Sequence, residues 1–77
     1  ENISLSKIKN ILYKHDEISE VYLDTKYDDD FGTIISAFVE VSNDELGLRE
    51  IKKHLLKFLS KNQCPSTIHI VDKIHHD

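Results

Sequence analysis

The 77-residue sequence has one cysteine, one proline and two glycines. Each scarcity excludes something. Cys64 alone cannot close an internal disulfide, so a reducing compartment, and with it a cytoplasmic location, is the expectation. Gly32 and Gly47 are too far apart to form a glycine-rich loop around phosphates. No apolar run approaches the roughly 20 residues that a membrane-spanning helix needs. No signal-peptide pattern is present either. Basic excess is also missing. Ten Lys and Arg face fourteen Asp and Glu, for a net charge of -4. A nucleic-acid module ordinarily shows the reverse balance, so neither a nucleic acid nor a membrane is an expected partner.

What is present suits a small folded domain. Hydrophobic residues make up 39% of the chain and charged residues 31%, which separates it from disordered sequences. The length fits one domain over residues 1–77 with a thin core, because a chain this short buries only about 60% of its unfolded surface.

Periodicity predicts five elements. Leu5, Ile8, Ile11 and Leu12 recur at helical spacing, which predicts a helix over Leu5–Lys14 with Ser4 as its cap. Val21, Leu23 and Thr25 alternate with polar neighbours in a strand over Glu20–Tyr27. Asp28, Asp29, Asp30 and Gly32 then form a loose hairpin connection. Thr33–Val41 carries apolar residues on both faces, as a central strand would, and should pair antiparallel with the strand before it. After a polar loop anchored by Leu46, a second helix is predicted over Leu48–Lys61. Its stripe is Leu48, Ile51, Leu55, Phe58 and Leu59, with Gly47 and Glu50 as a weak capping box. Asn62 and Gln63 end that helix before Pro65. Thr67–Asp72 is the last strand. The fold class is α+β: a two-layer αββαβ domain whose three-stranded sheet takes both helices on one face.

Few residues suggest chemistry. Asp28, Asp29 and Asp30 lack the dozen-residue spread of a calcium loop, so a solvated turn is expected. His75, His76 and Asp77 offer zinc-competent donors, but adjacent side chains on an extended chain diverge, and a frayed chain end is expected. Cys64 has no activating base in its signature and reads as a packing residue. His15, His54 and His69 form no triad or ligand set with a sequence neighbour. Lys52, Lys53, Lys57 and Lys61 read as a wet helix face. The element order also resembles some KH RNA-binding arrangements, but their GxxG loop and basic face are missing.

The whole chain resembles the small C-terminal domain of the acyl-adenylate-forming enzymes. These include acyl- and aryl-CoA synthetases, peptide-synthetase adenylation domains and luciferase. ENISLSKIKNIL is similar to the segment Gly-x-x-Ile-Ser/Tyr-Pro-x-Glu-Ile-Glu that opens this domain. Leu5 stands in place of a proline, and Lys9 in place of a glutamate. KHDEISEVYL resembles His-Pro-x-Val-x-Glu-Ala-x-Val through His15, Ile18, Glu20, Val21 and Leu23. DDDFGTIISAFVEV resembles the Asp-x-x-x-Gly-Glu-x-x-x-Ala-Phe-Val strand through Asp28, Gly32, Ala37, Phe38 and Val39. The stretch from Glu50 to Ile74 matches a further family segment at Glu50, His54, Leu59, Pro65, Val71 and Asp72. Ser60 and Asn62-Gln63 depart from it.

The resemblance implies a mobile lid of an ATP-dependent ligase that forms an acyl-adenylate and then a thioester on CoA or an acyl or peptidyl carrier protein. It implies a large N-terminal adenylation domain as the principal partner, with ATP and Mg bound by the parent enzyme and no cofactor held by this chain alone. Such a lid closes for adenylation, then rotates so that its leading loop lines the pantetheine channel. Glu1, Asn2 and Ile3 stand at the trailing edge of that loop. The family's Gly-Lys segment, with its catalytic lysine, would lie beyond Asp77, and the hinge before Glu1. The 77 residues alone are therefore expected to be inactive. The competing expectation is a freestanding, non-catalytic interaction module with the same fold.

Overall fold

Ser4 sets the start of the first helix. Its extended backbone and side-chain oxygen, which accepts from the Lys7 amide at 3.2 Å, cap α1 over Leu5–Tyr13. The computed structural model describes residues 4–72. After α1 come β1 (Ile18–Asp28), β2 (Gly32–Val41), α2 (Leu48–Leu56), a 3-10 turn (Lys61–Gln63) and β3 (Thr67–Val71). The expected α-β-β-α-β order and α+β class are thus observed.

The sheet runs β1-β2-β3. β2 is central, as its two apolar faces require. It pairs antiparallel with β1, with Val21 opposite Val39 and Leu23 opposite Ala37. It pairs parallel with β3, with Ala37 opposite Ile68. The parallel pair needs a crossover, and α2 supplies it. Both helices cover the same face of the sheet. Ile8, Ile11 and Leu12 of α1, Ile51 and Leu55 of α2, and Val21, Ile35, Ala37, Val39 and Ile68 of the sheet form one buried cluster. Leu46 joins that cluster and anchors the loop before α2, as its place in a polar stretch suggested. The shared core makes the domain a single stiff body.

The hairpin is tighter than the sequence indicated. β1 extends to Asp28 and β2 begins at Gly32, so only Asp29, Asp30 and Phe31 lie between them. Asp28 accounts for the difference. Its Oδ1 accepts from the amides of Asp30 at 2.8 Å and Phe31 at 3.1 Å. This side chain replaces the missing backbone partners of the turn. Gly32 then adopts φ +79°, a region that glycine enters without a Cβ clash.

α2 is shorter than predicted. It ends at Leu56, with Lys57 as its cap, and Lys61 belongs to the 3-10 turn rather than to the helix. The apolar spacing misled because it continues through a turn. Leu59 still donates its amide to the Leu55 carbonyl at 2.9 Å and is buried, whereas Phe58 and Leu48 are largely exposed. Asn62 and Gln63 therefore form part of the 3-10 turn and do not terminate α2. Only half of the weak capping box exists, since glycine has no side-chain oxygen to accept from the Glu50 amide. Glu50 Oε1 accepts from the Gly47 amide at 3.1 Å.

Candidate functional site

The sequence kept His15 and His54 apart, and the fold brings them together. His15 follows the C-terminal turn of α1, while His54 lies in the last turn of α2. Their rings meet edge to face with centroids 5.2 Å apart. Phe58 closes the group at 5.5 Å from His54, and Lys14 places its ammonium 5.0 Å from the Phe58 ring centre. Thirty-nine positions separate the two histidines, so only helix–helix packing makes them neighbours.

Their hydrogen bonds assign them structural tasks. His54 Nε2 lies 2.6 Å from the Ile11 carbonyl oxygen. A carbonyl only accepts, so Nε2 carries the proton and donates. The Ile11 carbonyl also accepts from the Lys14 amide at 3.2 Å in the last turn of α1, and His54 ties it to α2. His15 Nδ1 accepts from the Glu17 amide at 3.1 Å and shapes the turn into β1. With these nitrogens engaged, the pair is a clamp between helices. Replacing His54 with Ala removes one of the two donors to this carbonyl and leaves the Lys14 amide. A loss of about 1 kcal/mol is expected, measured as a lower urea midpoint with an unchanged slope. His54→Gln keeps an amide donor and should recover part of that loss.

Other candidates stay separate. Cys64 packs against the core, its thiol donates to the Ser60 carbonyl at 3.4 Å, and burial pushes its pKa up. A thiol held protonated is a poor nucleophile, which agrees with a packing role. Asp28 spends its carboxylate on the hairpin turn. Among the described residues no group of three or more His, Cys, Asp or Glu could hold a metal ion. His69 stacks on Phe38 at 4.9 Å across the outer sheet face, with Tyr22 beyond at 6.1 Å from Phe38. Glu1, Asn2 and Ile3, proposed for the pantetheine loop, lie outside the described residues, as do His75, His76 and Asp77.

The described residues thus form one body around a shared core. Comparison with known proteins gives that body a context. Residues 7–76 match the model of the AMP-binding enzyme C-terminal domain. The chain belongs to this family. A curated member, a 2-succinylbenzoate–CoA ligase from Oceanobacillus iheyensis, is 32% identical over 74 residues, which is 96% of this chain and 15% of that protein. Two solved structures share the fold. A fatty acyl CoA synthetase from Mycobacterium tuberculosis superimposes with a TM-score of 0.84 at 21% identity, over 100% of this chain and 15% of that one. An o-succinylbenzoate CoA synthetase from Bacillus subtilis, bound to its acyl-adenylate intermediate, gives 0.80 at 19% identity, over 97% and 15%. The chain therefore spans about 15% of the length of these AMP-binding relatives. His15 and His54 both lie within the matched residues, but no local spacing in the sequence connects them.

Proposed function

We propose that this chain is the C-terminal lid of an ATP-dependent acyl-adenylating ligase, working against a large N-terminal adenylation domain of the same protein. The observation that carries the reading is the family match over residues 7–76, joined to a length of only about 15% of the relatives. The fold suits the role. A lid must move as one piece and keep its shape, and here both helices and all three strands share one core.

The reading places ATP and Mg on the larger domain and assigns this chain no step of its own with them. It places Glu1, Asn2 and Ile3 at the pantetheine channel and makes CoA or a carrier protein the thioester acceptor. A cytoplasmic location goes with it. No helix among the described residues is long and apolar enough to cross a membrane.

Carboxylate-dependent ATP–pyrophosphate exchange tests the proposal. The 77-residue chain alone should give no exchange above background. Exchange by the isolated chain would overturn the lid reading, because a lid only completes a centre built elsewhere.

A further inference from the structure

Charge is unevenly distributed along this acidic chain. Residues 46–71 carry five cations, Arg49, Lys52, Lys53, Lys57 and Lys61, against one carboxylate, Glu50. That carboxylate already accepts from the Gly47 amide. In the rest of the chain thirteen carboxylates face five cations. The stretch that carries α2 and β3, bounded by Glu45 and Asp72, is thus basic within an acidic chain. It contains an open groove of about 890 Å³, floored by Leu55, Leu56, Pro65 and Ile68, with Lys52 and Lys61 among its walls and no carboxylate in its lining.

A second feature borders the groove. Among the described residues β3 is at the edge of the sheet, bonded only to β2. Thr67, Ile68 and His69, which begin the strand, and Ser66 just before it also line the groove. A free strand edge offers a row of backbone donors and acceptors and pairs readily with an extended chain. Leu56 adds an exposed apolar surface, being 52% accessible.

We propose that this groove receives an extended acidic segment of a partner protein, paired along the open edge of β3. Its carboxylates face Lys52 and Lys61, and its apolar side chains rest on the exposed Leu56. Charge complementarity selects the partner. A basic segment would meet lysines on a wall without acids, and a neutral one would gain only the edge. The inference is independent of the lid reading, since it concerns a surface and not an activity.

Titration of the full 77-residue chain with an acetylated peptide of about eight residues alternating Glu and Val tests the idea, read by amide chemical shifts. Saturable shifts confined to Thr67–Val71 and the Lys52–Lys61 stretch are expected. The double variant Lys52→Glu/Lys61→Glu should bind about tenfold more weakly, since two favourable surface pairs become repulsive. Its unfolding midpoint should be unchanged, because both side chains are exposed. A Lys–Val peptide should not bind, and a proline in the centre of the Glu–Val peptide should abolish edge pairing. Three results would overturn the proposal: equal binding by the double variant, full competition by inorganic phosphate alone, or occupation of the groove by a second copy of the chain seen in sedimentation.

Discussion

Leu55→Ala is expected to destabilise the domain by about 3–5 kcal/mol, lowering its melting temperature by about 15 °C or more. Leu55 is fully buried on α2, in a cluster shared with Ile8, Leu12, Val21 and Val39. Truncation removes transfer energy and leaves a cavity between the helix layer and the sheet. The layer has little capacity to collapse, because each helix spans only nine residues and is fixed at its start, α1 by the Ser4 cap and α2 by the Gly47–Glu50 contact. A chain of 77 residues has a total stability of about 4–12 kcal/mol at typical per-residue values, so this single change removes much of it. Thermal unfolding followed by circular dichroism checks the figure. A shift of only a few degrees would show that α2 is not an integral part of the core.

Ala37→Glu should be more severe and leave little folded protein. Ala37 has no accessible surface, sits at the centre of β2, and is flanked across the sheet by Leu23 and Ile68. Its small side chain occupies the layer between the helices and the sheet. Glutamate adds volume to a filled site and brings a carboxyl with no partner there. Overpacking and the burial of a polar group together cost about 4 kcal/mol or more. Thr33→Glu is the control. Thr33 lies on the same strand and faces the same way, four residues earlier, but is exposed because the hairpin outruns the helices there. That variant should stay within about 0.5 kcal/mol of the parent. The pair separates burial from strand propensity in one comparison.

Much of this architecture is legible in the residues, and the exceptions have identifiable causes. Ile8, Ile11 and Leu12 declare α1 through spacing, and Ser4 declares its start. Leu5 was expected in the same stripe but is 40% exposed, because it precedes the contact with the sheet. Alternation placed Thr25 inward, yet it is exposed. Strand periodicity gives the face but not the reach of the helices above it. Ile70 shares the core face with Ile68 and is still 39% exposed for the same reason. β1 begins at Ile18, earlier than predicted, because an irregularity between Ile18 and Glu20 breaks the alternation. Phe58 and Leu59 extend the helical pattern past the helix itself, which hid the 3-10 turn.

The contacts between distant residues were least legible. The His15–His54 clamp and the α2–β3 groove each depend on tertiary packing and on where α2 stops. Charge was legible in total and not in place. The net value of -4 concealed a basic stretch around Lys52 and Lys61. The family resemblance reached further than periodicity did, because it compares order and spacing over the whole chain at once.

The most direct test of the central claim uses the protein encoded by the complete reading frame that contains these residues. Acyl-thioester formation from a carboxylate, ATP and CoA or a carrier protein is measured with residues 4–72 in place and with them deleted. The account predicts thioester formation by the intact protein and its loss on deletion, with the remaining large domain still folded. An intact protein that forms no acyl-adenylate or thioester from any carboxylate, or a deletion that leaves the rate unchanged, would contradict it.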